Sequence, residues 1–355
     1  MIFGIISEFN PFHNGHKYLI NKLKQNNDDD SVICVMSGNF VQRGEFAIKD
    51  KFARAKDALE NGADLIIELP TIYATQSAQG FAKAGVELLE ATGICECIGF
   101  GAECDDIEEL KKVAKKIKDS DSLIKKELEK GISYPVARQN IINSPLLNSP
   151  NNILAIEYLT YTNLDAVAIK RIGKGHDSDD KIYSASEIRR SMNKDYICSM
   201  NNCEKAILSK LRSMSKAQIS NIDDVSEGLE NRIYNAIREA TSIDELYSSI
   251  KTKRYTHSRI RRIILRAYLS IYNDYPRSPQ YIRILGFNDK GKILLKQMKQ
   301  VAKLPIIMKY SDINNQNTDI KEAFENECKY TDLYNLGYKK PLPCGTEQRS
   351  KVVII

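Results

Sequence analysis

The sequence predicts an α/β fold, in which a parallel sheet with helices on both faces is followed by a mainly helical C-terminal region. Short apolar runs alternate with helical patterns up to about residue 170, as they do in βαβ units. Beyond about residue 195 the strand signals fade, and helical patterns dominate to about residue 300. We therefore divide the chain into residues 1–195 and residues 196–355.

The predicted elements follow one another in a regular order. Met1 to Ile6 is a buried strand that ends before an Asn10-Pro11 turn, and a helical pattern begins near His16. The next elements are a strand at "SVICVM", a helix at "DKFARAKDALENG", a strand at "ADLIIELP", a helix at "SAQGFAKAGVELLEATG" and a strand at "CIGFGAE". From about Asp105 the pattern is helical, and the helix "NNILAIEYLTYT" precedes a fifth strand at "DAVAIKRIG".

Composition excludes several classes of protein. The 355 residues are 42% hydrophobic and 28% charged, which is typical of an ordinary globular protein with room for two domains. No stretch approaches the roughly 20 apolar residues of a membrane span. Because Glu8 also interrupts the N-terminal apolar run, we expect a cytoplasmic protein without a membrane partner. The eight scattered cysteines are expected to be reduced thiols.

Basic residues are concentrated in the C-terminal half. Residues 201–355 contain 27 Lys and Arg against 17 Asp and Glu, a net charge of +10, whereas the first 200 residues have a net charge of −4. This asymmetry is typical of a surface that meets a polyanion, although a modest net charge predicts such a partner only weakly.

The segment "FHNGH" places two histidines around a glycine at the first strand-to-helix turn. A helix N-terminus at the carboxyl end of a strand offers free N–H groups to phosphate. Gly15 lets the backbone approach closely, and His13 and His16 can donate ring N–H bonds while carrying partial positive charge. The pattern favours a nucleoside triphosphate site. The alternatives are two packed side chains or a metal site, but the carboxylate of the metalloprotease spacing is absent.

His13-Asn14-Gly15-His16 is similar to the HxGH signature of the Rossmann-like nucleotidyltransferases related to class I tRNA synthetases, and "YSASEIRRS" resembles their second, ISSTxxR-type signature. More narrowly, "GIISEFNPFHNGH", "MSGNFVQRGEFAIKDKFARAKDALENGADLIIELP", "GFGAE", "SPNNILAIEYL" and "KTKRYTHSRIRRIIL" resemble the tRNA(Met) cytidine acetate ligase family over nearly the whole chain. The resemblance implies that ATP activates acetate as acetyl adenylate, and that the acetyl group passes to N4 of the wobble cytidine of elongator tRNA(Met). Residues 1–195 would then be the ATP-binding catalytic domain, and residues 196–355 the basic tRNA-binding region.

The resemblance also implies a set of ATP contacts. Gly101 lies after a strand, and Arg171 after another strand would reach phosphate or ribose, with the backbone of Ile172 reading adenine. Asn152 is expected either to cap a helix or to contact the nucleotide, and the family match favours the nucleotide. The other expected ATP-binding residues are Ile6, Ser7, Glu8, Phe9, Asn10, Pro11, Phe12, His13, Asn14, Gly15, His16, Lys17, Tyr18 and Leu19.

Catalysis is expected to rest on alignment and on neutralising charge at the α-phosphate and the departing pyrophosphate. The second signature reads Ser184-Ala185-Ser186, so one hydroxyl of the wider family is missing. Mg²⁺ is expected to accompany ATP rather than to occupy a protein cage. The expected catalytic residues are His13, His16, Ser186 and Arg189.

Two further groups of residues have more than one interpretation. Lys51 and Arg54 either add charge beside the phosphates or lie on a solvated helix face. Cys95, Cys97 and Cys104 are better explained as ordinary buried thiols than as zinc ligands or a thioester site, because their spacing matches no familiar zinc pattern.

The segment "KTKRYTHSRIRRIILRAYLSI" is expected to form an amphipathic helix that binds RNA. Seven basic residues and no acidic one lie between Lys251 and Arg266, which favours RNA over a solvated face, and Tyr255 and His257 would stack on bases. Ile260, Ile263, Ile264, Ala267 and Ile271 would share the apolar face, opposite Arg259, Arg262 and Arg266. The expected tRNA-binding residues are Lys251, Lys253, Arg254, Arg259, Arg262 and Arg266.

Two other functions remain open on sequence grounds. A nucleotidyltransferase that adenylylates a small metabolite would need no RNA, and would leave the basic segment without a purpose. A nucleotide-regulated RNA-binding protein without chemistry conflicts with the presence of both histidines and the SxSxxR motif. The expected substrates are therefore ATP, acetate and elongator tRNA(Met), and no obligatory protein partner is inferred.

Overall fold

A computed structural model describes residues 1–24, 27, 29–171, 185–192, 197–226, 228–252 and 254–355. The strands are β1 (Ile2–Ser7), β2 (Ser31–Ser37), β3 (Phe40–Val41), β4 (Glu45–Phe46), β5 (Leu65–Leu69), β6 (Cys97–Ala102), β7 (Asp165–Lys170), β8 (Ile282–Phe287), β9 (Ile306–Ile307) and β10 (Val353–Ile354). Eight of these strands form the central sheet, in the order β10-β8-β5-β2-β1-β6-β7 with β9 beside β8, and β3 and β4 form a separate hairpin.

The helices lie on both faces of the sheet and make up most of the region from residue 197 to residue 269. They are α1 (Asn14–Leu23), α2 (Lys51–Leu59), α3 (Thr71–Ala74), α4 (Ala78–Ala91), α5 (Ile107–Asp119), α6 (Asp121–Leu128), α7 (Tyr134–Ile142), α8 (Pro150–Tyr161), α9 (Ala185–Ser191), α10 (Glu204–Ser213), α11 (Lys216–Ser220), α12 (Leu229–Glu239), α13 (Ile243–Ile250), α14 (His257–Leu269), α15 (Asp289–Val301), α16 (Thr318–Tyr334) and α17 (Thr346–Arg349). Short 3₁₀ helices span Pro145–Asn148, Met200–Cys203, Tyr310–Asn315 and Asn335–Gly337.

The predicted parallel sheet is confirmed. Strands β2 and β6 flank β1 in parallel, and β5 and β7 continue the parallel arrangement on either side. All seven residues of β2 are buried, as expected for a strand that helices cover on both faces. The carboxyl ends of β1, β2 and β6 therefore meet at one edge of the sheet, where α/β folds bind ligands.

The sheet also includes a strand from the region that we expected to be helical up to about residue 300. Strand β8 is buried along its whole length and pairs antiparallel with β5. The prediction missed it because Arg283 interrupts its apolar run. In the folded chain Arg283 is buried, and its guanidinium lies 3.1 Å from a carboxylate oxygen of Glu347. The regions on either side of residue 195 thus contribute to one sheet.

Residues 196–355 do build a helical core of their own, and the β3–β4 hairpin inserts into it. Phe40 and Phe46 pack with residues of α10 to α14 and with Tyr334 of α16. The tyrosine hydroxyl donates to the carbonyl oxygen of Ala47 at 2.8 Å. Within the described ranges, no helix has the length and apolarity needed to cross a bilayer.

Candidate active site

The turn between β1 and α1, residues 7–13, is here called the phosphate loop. Helix α1 begins at Asn14 with His13 as its N-cap, close to the start that the sequence predicts. The Nδ1 atom of His13 accepts a hydrogen bond from the N–H of Gly15 at 3.1 Å, and the Nδ1 atom of His16 accepts one from the N–H of His13 at 3.3 Å. The two rings stack with their centroids 3.8 Å apart. The histidines therefore form a reciprocal capping box.

Both imidazoles are neutral at pH 7. Burial lowers the pKa of His13 to about 4, and the nearby Arg171 adds to the shift. Burial, His13 and Arg171 together hold the pKa of His16 well below its usual value. Since Nδ1 of each ring accepts a hydrogen bond, Nε2 carries the proton and is the donor. The expectation of partial positive charge on the histidines is wrong, because desolvation removes it.

Positive charge reaches the phosphate loop from two arginines instead. Arg189, on α9, donates from Nη1 to the carbonyl oxygen of Asn10 at 2.6 Å, which joins the second signature to the first. Arg171, directly after β7, lies near both histidines and donates from Nη1 to Asn151 at 3.3 Å. The predicted roles of the Ile172 backbone and of the Ser186 side chain fall outside the described part of the chain.

The loop after β6 and the start of α8 form the other side of the site. Gly101 lies within β6 and not in a loop after it, because the strand continues to Ala102; a Cβ atom there would make ordinary contact with Cγ of Arg171, at 3.4 Å. The side chain of Asn152 is buried and accepts a hydrogen bond from the N–H of Cys104 at 2.9 Å. The helix-cap interpretation of Asn152 is wrong, because α8 begins at Pro150.

Glu103 has a role that the sequence reasoning missed. Its carboxylate accepts hydrogen bonds from the N–H of Asn152 at 3.0 Å and from the side chain of Asn151 at 2.6 Å. Glu103 therefore supplies the acceptor at the N-terminus of α8. The position of Glu103 directly after a strand, in "GFGAE", was the available sequence signal for this role. The local pattern does not reveal the partner, because the helix that Glu103 caps lies 48 residues further along the chain.

Within the predicted ATP-binding run, the side chains divide into three groups. The hydroxyl of Ser7 is buried and has no hydrogen-bond partner among the described residues. The side chains of Glu8 and Asn10 accept hydrogen bonds from the N–H groups of Gln42 and Ile48, and so hold the loop itself. Ile6, Phe9 and Pro11 are buried; Ser7, Glu8, Phe12, His13, Gly15, His16, Tyr18 and Leu19 are half-buried; Asn14 and Lys17 are exposed.

Neither Lys51 nor Arg54 lies on a solvated face. Lys51 is 1% exposed, and its ammonium lies 2.7 Å from Glu68 and 2.8 Å from Glu347. Arg54 is 0% exposed and donates to carbonyl oxygens, including that of Glu8 in the phosphate loop. The charge of Lys51 is therefore neutralised by carboxylates inside the fold. Arg54 contacts the site through a backbone carbonyl oxygen of the phosphate loop.

The expected buried thiols are confirmed for Cys95 and Cys97. Burial raises the pKa of Cys95 to about 12 and that of Cys97 to about 11, so both are protonated at pH 7. Cys104 is half-buried, with its Sγ 3.6 Å from Glu109. No group of three His, Cys, Asp or Glu side chains suited to a metal occurs in the described ranges.

The arginine face expected on α14 is not exposed. Arg262 and Arg266 are 7% and 1% exposed, because Asp224 and Asp223 pair with them and α3 covers Arg266, which donates to the carbonyl oxygen of Ile72. Arg259 is half-buried against the carbonyl oxygen of Asp224. Four members of the predicted apolar face, Ile260, Ile263, Ile264 and Ala267, lie on α14 and are buried, whereas Ile271 is buried but follows the end of the helix at Leu269.

The surface that remains around α14 is smaller than expected. Tyr255 is buried, with the guanidinium carbons of Arg254 and Arg259 at 5.9 and 5.4 Å from its ring centroid, so it does not present a free ring for stacking on a base in this conformation. Lys251 and His257 are exposed, and Arg254 is half-buried. Lys253 lies outside the described residues.

Comparison with known proteins agrees with this geometry. The HIGH Nucleotidyl Transferase family model matches residues 1–199 and 190–349. The tRNA(Met) cytidine acetate ligase of Acetivibrio thermocellus is 38% identical over 100% of both chains, and that of Thermoanaerobacter sp. is 38% identical over 98% of each. The crystal structure of Thermotoga maritima TmcAL bound with alpha-thio ATP is 30% identical, with a TM-score of 0.90 over 100% of this chain and 99% of that chain. The chain belongs to the tRNA(Met) cytidine acetate ligase family.

Proposed function

We propose that the protein is an ATP-dependent ligase that forms acetyl adenylate and acetylates N4 of the wobble cytidine of elongator tRNA(Met). The observation that carries the proposal is the junction of the two signatures, where Arg189 binds the carbonyl oxygen of Asn10 three residues before His13. The full-length similarity to ligases of that name and to a structure that holds an ATP analogue supports it.

In the first step an acetate oxygen attacks the α-phosphorus, and the bond from that phosphorus to the oxygen of pyrophosphate breaks. We propose that the Nε2–H groups of His13 and His16 bind phosphate oxygens as neutral donors. Arg171 and Arg189 neutralise the charge that develops, and the N-terminus of α1 adds backbone donors. Mg²⁺ would travel with the triphosphate and shield its oxygens.

In the second step N4 of the cytidine attacks the acetyl carbonyl carbon. The C–O bond to AMP breaks, and the proton lost from N4 passes to solvent or to the departing phosphate. The remaining proposed ATP contacts are Gly101 near the end of β6, Asn152 on the first turn of α8, and the Ser7 hydroxyl at the start of the phosphate loop.

The decisive experiment combines ATP, acetate and total tRNA with the purified protein, followed by mass analysis of the tRNA nucleosides. We expect N4-acetylcytidine in elongator tRNA(Met), and its formation should require all three substrates. Adenylylation of a small metabolite without RNA would instead support the alternative function. The absence of both products, with ATP still bound, would support a nucleotide-regulated binding protein.

For tRNA binding, we propose the two described members of the basic segment that the helical core does not fully bury, the exposed Lys251 and the half-buried Arg254. Replacing both with Ala should weaken tRNA binding and lower the slope of log affinity against log salt by about 2, since each lost phosphate contact removes about 0.9. The matched control replaces a second pair of basic residues with Ala, Lys296 and Lys299, which are exposed on α15. If only the control pair changes the slope, the contact belongs to α15.

A further inference from the structure

The phosphate loop contains a residue in an unfavourable backbone conformation. Phe9 has a φ angle of +44°, in the left-handed region that bulky side chains rarely adopt, and its side chain is 1% exposed. Such a conformation persists only where the surrounding structure determines it strongly. The position of the loop therefore depends on the groups that hold the residues on either side of Phe9.

Both neighbours of Phe9 accept hydrogen bonds from one segment of the chain, residues 38–54, here called the clamp segment. The Glu8 carboxylate accepts the N–H of Gln42 at 2.7 Å, and the Asn10 side chain accepts the N–H of Ile48 at 2.9 Å. The carbonyl oxygen of Glu8 accepts a hydrogen bond from Nη1 of Arg54 at 2.5 Å.

Arg54, the last residue of the clamp segment, connects the phosphate loop to the end of β2. Its Nη2 donates to the carbonyl oxygen of Gly38, directly after β2, and its Nε donates to the carbonyl oxygen of Lys49 at 3.0 Å. The guanidinium thus binds the carboxyl ends of β1 and β2 together. Only a planar group with several fixed donors can do this, because an ammonium is a compact point charge.

We propose that Arg54 is a positioning residue for the adenylation step, which holds the strained phosphate loop so that His13 and His16 meet the α-phosphate. The inference rests on the proposed function, since the reaction is the one that the histidines serve. Arg54 acts through the backbone of Glu8, not through ATP. Loosening the loop by a fraction of an ångström displaces the Nε2 donors, and errors of about 1 Å cost about 100-fold in rate.

The test compares Arg54→Lys with Arg138→Lys. Arg138 is the matched control, because it is 3% exposed and its guanidinium pairs at 2.7 Å with Glu157, which belongs neither to the phosphate loop nor to the clamp segment. Acetate-dependent exchange of pyrophosphate into ATP is measured at saturating ATP, with the melting temperature of each variant. We expect kcat to fall about 10- to 100-fold in R54K. R138K should retain at least half of kcat at a similar melting temperature.

A second measurement does not depend on catalysis. Hydrogen exchange at the amides of residues 8–10 and 12 should be faster in R54K than in the unaltered chain, and unchanged in R138K. R54K with more than half of kcat and unaltered amide exchange would overturn the proposal, as would an equal loss of kcat in R138K. If the unaltered protein shows no acetate-dependent exchange of pyrophosphate into ATP, the proposed function fails. The positioning role of Arg54 is then tested separately, by the amide hydrogen exchange of R54K and by its affinity for alpha-thio ATP.

Discussion

At the scale of single residues, His13 and His16 combine a structural and a chemical use. One ring nitrogen of each accepts a backbone N–H at the start of α1, and the other remains a neutral donor. The sequence predicts that these two residues form a phosphate site, but it does not predict their charge. Charge depends on burial and on Arg171, which lies more than 150 residues away in the chain.

The two uses can be separated by substitution. The Oδ1 atom of an Asn at position 16 can take the place of Nδ1 as an acceptor, but it leaves no donor at the position of Nε2. We expect His16→Asn to keep its melting temperature within a few degrees and to lose pyrophosphate exchange about 10²- to 10³-fold, the usual effect of removing one transition-state donor. His16→Ala should lose exchange as well as some stability. Normal exchange in either variant would refute the assignment.

The low pKa values of the histidines make stability depend on pH. Between about 6.5 and about 4 the unfolded chain binds protons that the folded His13 does not, so the free energy of unfolding should fall as the pH falls through this range. The contribution is complete above pH 6.5. Urea unfolding at pH 7, 6 and 5 measures the slope, and His13→Asn should reduce it. A slope that this variant leaves unchanged would show that other groups carry it.

At the scale of elements, the β3–β4 hairpin connects the active site with the helical core. The N–H of Gln42 in its turn and the N–H of Ile48 just after it bind the phosphate loop, while Phe40 and Phe46 pack among helices from the other half of the chain. Gly44 at its turn has a φ angle of +75°, and a Cβ atom there would lie 2.4 Å from the backbone nitrogen of Arg262. The hairpin therefore rests directly on the backbone of α14.

This contact predicts a difference between two glycines with the same backbone conformation. Gly228 has a φ angle of +81°, but a Cβ atom there would come no closer than 3.9 Å to its neighbours. Gly228→Ala should cost about 1 kcal/mol from the backbone alone. Gly44→Ala should cost clearly more, because α14 must also move. Urea unfolding of both variants checks this, and equal losses would show that the hairpin and helix separate easily.

The elements show where the sequence is informative and where it is not. The strand-turn-helix at the phosphate loop and the apolar face of α14 follow from local patterns. The arginine face of α14 does not, because Asp223 and Asp224, about 40 residues earlier in the chain, neutralise two of its members. A helical pattern shows which residues share a face, but it does not show what packs against that face.

At the scale of the whole molecule, a buried cluster of charges joins the two halves. Lys51 and Glu68 come from the N-terminal half, and Arg283 and Glu347 from the C-terminal half. Glu327 lies nearby and accepts two hydrogen bonds from Thr71; burial and the charge of Glu68 raise its pKa to about 8. The positive and negative charges of this cluster lie close together only when the N-terminal and C-terminal halves of the chain pack against each other. No local pattern in the sequence predicts such a cluster.

Removing one charge from the cluster should destabilise the whole protein. Glu347→Gln leaves Lys51 and Arg283 with one carboxylate fewer in a dry site, so we expect a loss of about 3 to 5 kcal/mol. The control is Glu60→Gln, since Glu60 belongs to an exposed ion pair with Lys56 and should change the free energy of unfolding by less than about 1 kcal/mol. Similar losses in the two variants would mean that the cluster has little net effect.

The place of β8 in the sheet has a consequence for how the protein is made. On the ribosome, β5 emerges more than 200 residues before β8, its partner at that edge. At about 5 to 20 residues per second, the nascent chain carries this open strand edge, whose residues are apolar except for Glu68, for roughly ten to forty seconds. Open edges of this kind pair with other chains. A fragment that ends near residue 195 lacks β8 altogether, so it should precipitate.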